Sequence, residues 1–561
     1  MSNSQAGIPK SFRWAGGTVS RKYGDEHYLV IGASGSGKST LINQAMHSII
    51  SDSGVRAVVY DPKQELIPFL AGLRIDSDAV PLDSLKILNP FDVRCSAWDM
   101  ASDIDSSIAA RQLATILVPD SEKGGASEGF FTSAVRDILS GVVLAFIECV
   151  PNKRTWEFRD VLLAMLYEPY LNLILQLFET RSGVPFPILQ RLRDNYLGEL
   201  TDPRTKANIR ASINSKLSIY EPVAAGWYHA MQPGGRGKLS LKSWINEKPG
   251  PGSPGSILVL GNDESARAAI DPINQAIFKR ITELVLARPE RSPQERAAGD
   301  NQIWFFLDEI REAGRLDGLS RLLTKGRSKN ACVVMGFQDI DGLKDVYGEE
   351  VANELCSQFN NVAVLRVNSP ATAQWASDLF GRRMERGKND SLGFSTGENA
   401  SLTSTRGSTD MERPFFYTDS FLFGSNASAS KSVRGIRKGP DIESKGLSLE
   451  EVQERSMFVE KEEAPRVDLK IIASRYQRAT GAKEEIASLF VSECIQSAPS
   501  DQLLPPWTQD DLDRLGFDVN LADIFKDQQQ AAALGAPDKL TGISAGEHLR
   551  ELLKLKKRGK E

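Results

Sequence analysis

Cysteine and histidine are scarce in this chain of 561 residues. Its five cysteines (Cys95, Cys149, Cys332, Cys356, Cys494) form an odd set with no CxxC spacing, which excludes a disulfide framework and a zinc ribbon and fits a reducing compartment. Four histidines, His27, His47, His229 and His548, never fall four residues apart, so no helix offers a histidine pair to a metal. Long hydrophobic runs are missing as well. The longest, Ile138 to Val150 (ILSGVVLAFIECV), falls short of the roughly 18 apolar residues of a membrane span and reads as a buried core helix. The opening MSNSQAGIPKSFRWAGG lacks the apolar centre of a secretory signal. Nor is there an excess of positive charge: 68 Lys and Arg face 73 Asp and Glu, a net charge of −5. That excludes a cationic nucleic-acid coat and leaves room for a local basic channel.

What is present is an ordinary folding composition, 41% hydrophobic and 25% charged, long enough for three or four domains of about 150 residues. Strand-like and helix-like segments alternate from the start: HYLVI (His27 to Ile31), a glycine-rich turn, a helical stretch from Thr40 to Ile50, then AVVY (Ala57 to Tyr60). Helical periodicity dominates from Ala97 to Asn246. Strand-like runs return at Ser256 to Leu260, Gln302 to Leu307, Ala331 to Met335 and Asn361 to Val367, and such continuous apolar runs suit a parallel sheet covered on both faces. The expected layout is an N-terminal arm (1–26), a discontinuous α/β domain (27–96 and 255–468), an inserted all-α domain (97–254) and a C-terminal helical extension (469–561). Gly, Ser, Thr and Asn crowd Lys388 to Arg413 and Gly424 to Gly446, which read as exposed loops or hairpin tips, while Pro414 to Phe423 reads as a strand. The closing KLKKRGKE reads as a solvated basic tail.

Chemistry concentrates in GASGSGKS, Gly32 to Ser39, which satisfies G-x-x-x-x-G-K-[ST] and lies between a strand and a helix, where a phosphate-binding loop belongs. Backbone N–H groups of Gly32, Ala33, Ser34, Gly35, Ser36, Gly37, Lys38, Ser39 and Thr40 and the helix N-terminus supply positive partial charge to the phosphates of ATP. Lys38 is expected to reach the β/γ-phosphates and Ser39 to ligate Mg²⁺. Such a site needs carboxylates at a neighbouring strand end, and IWFFLDE (Ile303 to Glu309) supplies them: Asp308 as magnesium partner and Glu309 as the group that accepts a proton from, or orients, the attacking water. Gln338, after the next strand-like run, suits sensing of the nucleotide or positioning of water, or else is a plain surface residue. Arg366 ends the following strand, where an arginine finger across a subunit boundary and a structural ion pair are both open.

Longer blocks extend the pattern. VVYDPKQEL (Val58 to Leu66), ILNPFDVRCSAWDM (Ile87 to Met100), FLDEIREAGRLDGLSRLLTKGRSKN (Phe306 to Asn330) and GFQDIDGLKDVYG (Gly336 to Gly348) follow one another as in a known family. The chain resembles the coupling-protein ATPases of type IV secretion and bacterial conjugation, within the FtsK/HerA class of hexameric DNA motors, over most of residues 20–385. The resemblance implies a RecA-like P-loop ATPase domain, an inserted all-α domain and a hexameric ring with a central channel for DNA. It matches Lys38 and Ser39 to the phosphate-loop pair, Asp308 and Glu309 to the Walker-B pair and Gln338 to the following glutamine. Arg366 sits where an arginine reaching a neighbour's nucleotide is expected, and Asp61 resembles the acidic residue of the DP block, structural or nucleotide-adjacent.

Family members usually carry a transmembrane anchor, whereas about 27 polar residues precede the first strand here. The expected place is therefore the cytoplasm, with recruitment to the inner membrane by a partner. The reading is an ATP-driven DNA translocase of conjugative transfer or secretion, its partners being DNA, copies of itself and secretion-channel or relaxosome proteins. Two alternatives stand beside it: a cytosolic receptor for secreted protein substrates, and a soluble motor subunit of a DNA-processing or anti-phage complex. Basic clusters after Asp308 (Arg311, Arg315, Arg321, Lys325, Arg327, Lys329) and in the helical region (Arg204, Lys206, Arg210, Lys216) suit either DNA phosphates or ion pairs. Nothing resembles a base-reading element, so DNA binding should be insensitive to sequence.

Overall fold

The computed structural model describes residues 11–20, 26–50, 55–72, 85–120, 126–198, 201–247, 256–298, 302–395, 401–423, 432–438, 457–460 and 504–525. The chain divides into two units, one from Met1–Tyr60, Pro289–Arg315 and Ser320–Val467, the other from Asp61–Arg288, Leu316–Leu319 and Asp468–Glu561.

In the first unit the apolar runs become strands with every residue buried: Tyr28–Ile31, Ile303–Leu307, Ala331–Phe337 and Asn361–Val364. Ala331–Phe337 lies between Tyr28–Ile31 and Ile303–Leu307, parallel to both. Asn361–Val364 adds on the far side of Tyr28–Ile31, and the Arg56–Tyr60 stretch adds beyond Ile303–Leu307, again parallel. This arrangement brings the carboxyl ends of the two chemically marked segments to one edge, a strand apart. Ser432–Lys438 and Met457–Glu460 extend the sheet antiparallel.

The polar N-terminal arm contributes to this core. Ser11–Trp14 and Gly17–Ser20 pair antiparallel, and alternation places Phe12 and Trp14 inward. Phe12 meets Tyr28 and Trp304 edge-on at 5.4 and 5.3 Å, and Trp14 meets Tyr28 at 4.9 Å. The Gly- and Ser-rich stretch expected as loops or tips is instead a two-stranded ribbon, Arg382–Ser395 with Ser401–Pro414, whose cross-strand pairs Arg386–Asp410 and Arg413–Glu385 offset its poor β propensity. Pro414 ends that ribbon, so the expected strand from 414 to 423 gives way to a short helix, Thr418–Leu422, seated by Phe421 against Phe380 and Phe416. Most of Gly424 to Gly446, residues 1–10 and the basic tail lie outside the described residues.

The second unit is mainly helical between Met100 and Asn246. Ser106, Asp202 and Ser240 cap their helices by accepting backbone N–H groups three residues on. The long helix Ala126–Glu148 is, over Glu128–Glu148, apolar and long enough to cross a membrane by composition, yet Val135, Ile138, Leu139, Val142 and Phe146 are buried within the unit, as a core helix requires. Two short parallel pairs accompany the helices, Leu85–Ile87 with Ile257–Gly261 and Ala97–Trp98 with Lys238–Leu239. Buried Asp103 ties the latter region together, accepting from Trp98 Nε1, Ser240 Oγ and the backbone N–H groups of Leu241 and Lys242. Of the expected C-terminal extension, residues 504–525 are described, and they pack into this unit. Trp507 donates to Asp160 at 2.7 Å, and Arg159 grips Asp511 through two hydrogen bonds of 3.0 and 2.9 Å.

Candidate nucleotide-binding site

Where strand Tyr28–Ile31 ends, the chain turns through Gly32–Gly37 into helix Lys38–Ile50. Gly35 and Gly37 take φ of +74° and +101°, conformations open to glycine, which let successive backbone N–H groups turn toward a common centre. The loop is tied at both sides: Gly32 N donates to Phe337 O at 3.2 Å and Ala33 N to Arg366 O at 2.8 Å. Behind it, Leu41, Ile42, Ala45, Met46 and Ile49 form one buried helix face. Ser34, Ser36 and Thr40 complete the stretch, with Ser36 buried and Ser34 exposed.

Lys38, 5% exposed, meets both marked carboxylates: its Nζ lies 2.7 Å from Glu309 Oε1 and 3.3 Å from Asp308 Oδ1. Ser39 Oγ donates to Asp308 Oδ2 at 3.0 Å. The structure thus brings together residues 269 positions apart in sequence. Glu309 occupies the left-handed region (φ 51°, ψ 50°), a strained conformation for a residue with a side chain, and its N–H donates to Asp308 Oδ1 at 2.9 Å. This turn aims the Glu309 carboxylate back over the strand end. There Gln338 Nε2 donates to both its oxygens, at 3.1 and 3.0 Å.

Arg366 joins from the opposite side. Its Nη1 donates to Asn368 Oδ1 at 2.8 Å and its Nη2 to Ser34 O at 3.4 Å, so the guanidinium rests on the loop of its own chain. Sequence reading missed Asn368, an exposed loop residue that no motif marks. Asp61 has a structural part. Its carboxylate accepts from Leu66 N at 2.9 Å and Glu65 N at 3.2 Å, capping helix Leu66–Gly72, while burial pushes its pKa up against those bonds. Several basic-cluster residues are held in ion pairs: Arg210 with Glu168 at 2.5 Å, Arg311 with Asp345 at 3.7 Å, and Lys329 with Glu290 at 3.8 Å.

A hydroxyl and a carboxylate in contact beside a buried lysine form an oxygen donor set suited to a hard divalent cation. Among the described residues no cluster of three or more His, Cys, Asp or Glu forms a metal cage. Any cation here would be shared with a ligand's own oxygens, as magnesium is in phosphate-binding sites.

Coupling protein TraD of Escherichia coli (strain K12) is 23% identical over 358 residues, which cover 64% of this chain and 44% of TraD. The aligned stretch therefore spans less than half of that relative's length. The solved conjugative coupling protein TrwBdeltaN70 shares the fold, with a TM-score of 0.52 and 21% identity over 77% of this chain and 86% of its own. TrwB in complex with ADP and Mg²⁺ is similar at a TM-score of 0.51 and 20% identity, covering 77% of this chain and 87% of that one. Residues 13–419, more than half of the chain, match the family described as type IV secretion-system coupling protein DNA-binding domain, and the chain belongs to that family.

Proposed function

We propose that the chain is a magnesium-dependent ATPase that drives DNA through the machinery of conjugative transfer or type IV secretion. The observation that carries this reading is Lys38 Nζ within 3.3 Å of both Asp308 and Glu309, beside Ser39 at the mouth of a glycine loop, in a chain of the coupling-protein family. Ser39 and Asp308 would hold Mg²⁺, which when bound neutralises phosphate charge. Lys38 binds the β/γ-phosphates, and leaving Glu309 for phosphate frees that carboxylate to orient water and accept its proton. Gln338 holds the Glu309 carboxylate in place. The contact of Arg366 with Ser34 supports a role on the chain's own nucleotide, with the guanidinium meeting charge that develops on the phosphates.

Residues 97–254 are read as the inserted domain of this motor, and the motor as a ring, hexameric by the family's precedent, acting on the cytoplasmic side of the inner membrane. Contact with DNA is expected through phosphates and without sequence preference. The test is ATP turnover by the purified chain with no DNA, single-stranded DNA and duplex DNA, with Lys38→Ala as control. Turnover that DNA raises and the control lacks supports the motor. Turnover that is indifferent to DNA favours the receptor for protein substrates.

A further inference from the structure

The two halves of the site come from strands that do not touch. Ala331–Phe337 lies between them, so Lys38 and Asp308 reach each other across about 10 Å, over the top of that middle strand. The register is specific: Met335 is level with Leu307 and Gly336 with Val30, which puts Gly336 next to Asp308 under the meeting point. A Cβ at Gly336 would stand 2.6 Å from Asp308 Oδ1, 3.0 Å from Ile42 Cδ1 and 3.3 Å from Lys38 Cδ. The first distance is closer than side chains tolerate. It also falls on the oxygen that accepts the Glu309 N–H and faces Lys38 Nζ, so displacing it loosens both of those contacts.

We propose that Gly336 is a positioning residue: its missing side chain fixes where the Asp308 carboxylate stands and so sets the magnesium-dependent part of nucleotide affinity. The inference rests on the nucleotide-site reading above and adds to it a residue whose own atoms bind nothing. Gly336 is required here for close approach rather than for backbone freedom, since it sits in an ordinary strand.

The experiment measures binding of a fluorescent ATP analogue in Mg²⁺ and in EDTA, without turnover, for wild type, Gly336→Ala, Asp308→Ala and the double variant, each checked by thermal melting. Gly336→Ala should lose about tenfold or more in affinity in Mg²⁺ and nothing in EDTA, the scale of a modest overpacking cost. Added to Asp308→Ala it should cost nothing further. A second pair guards against misfolding. Gly336→Ala with Ile42→Ala removes the 3.0 Å contact and leaves the 2.6 Å one, and it should show the same loss in Mg²⁺. A wild-type response of Gly336→Ala to Mg²⁺, an equal loss in EDTA, an added loss on the Asp308→Ala background, or recovery by Ile42→Ala would each overturn the proposal. A wild type indifferent to Mg²⁺ would instead bring down the magnesium reading itself, and the role of Gly336 with it.

Discussion

Lys38, Glu309 and Arg366 separate by what each variant should lose. Lys38→Ala should fold and lose at least about a hundredfold in turnover, because no other cation in the glycine loop replaces its ammonium. Glu309→Gln keeps the size of the side chain and should bind ATP normally while hydrolysing it about a hundredfold to ten-thousandfold more slowly; normal turnover would remove Glu309 as the water-orienting group. Arg366 tests the reading made from its contact with Ser34. Arg366→Ala should cost about a thousandfold in turnover with nucleotide binding retained. Mixed with Lys38→Ala it should recover no activity, since an intact loop and an intact Arg366 must share one chain. Recovery in the mixture would assign Arg366 to the neighbour's nucleotide instead. The loop and the LDE run were legible in sequence because strand, turn and helix are local, and so were the identities of the residues that meet. What stayed hidden was set by tertiary placement: the left-handed turn at Glu309, the hold of Gln338 on it, and the glycine beneath Asp308.

Elements were legible where periodicity was strong and failed where composition misled. The fully apolar strands emerged with shifts of one to three residues at their ends, the largest where Asn361 to Val367 is a strand only as far as Val364. The Arg382–Ser395 and Ser401–Pro414 ribbon did not, because its Gly, Ser and Asn resemble loop composition while long-range pairing and cross-strand charges hold it. Residues 504–525 show the same limit, since their partners lie more than 340 positions away. Their clasp has a pH signature. Burial opposes ionisation of Asp511, but the hydrogen bonds and charge of Arg159, the Thr508 N–H and the charge of Arg514 outweigh it and bring its pKa down to about 2. A carboxyl depressed in the folded state stabilises above its unfolded value near 4, and that contribution fades as pH falls from there toward 2. Asp511→Asn should therefore lower the melting temperature of the helical unit at pH 7 by an amount that corresponds to about 2 kcal/mol, and the difference from wild type should shrink below pH 4. A constant difference from pH 7 to pH 2 would contradict the assigned ion pair.

At the scale of the whole molecule, family membership and site chemistry support the proposed motor, and its proposed assembly is the step to test. If the proposed motor meets DNA through phosphates, stimulation of turnover should fall with added salt and be similar across base sequences. With Arg366 on the chain's own nucleotide each chain holds a complete site, so assembly bears on the DNA-driven rate: ring formation by mass action makes the DNA-stimulated part of turnover depend on protein concentration. The most direct test is ATP turnover per chain across a wide dilution series, with and without single-stranded and duplex DNA, alongside the mass of the assembly in each sample. The account predicts a basal turnover per chain that stays constant on dilution without DNA, and a DNA-stimulated turnover per chain that rises with protein concentration as assemblies form. Turnover per chain that DNA leaves unchanged at every dilution, with the protein monomeric even on DNA, would contradict it.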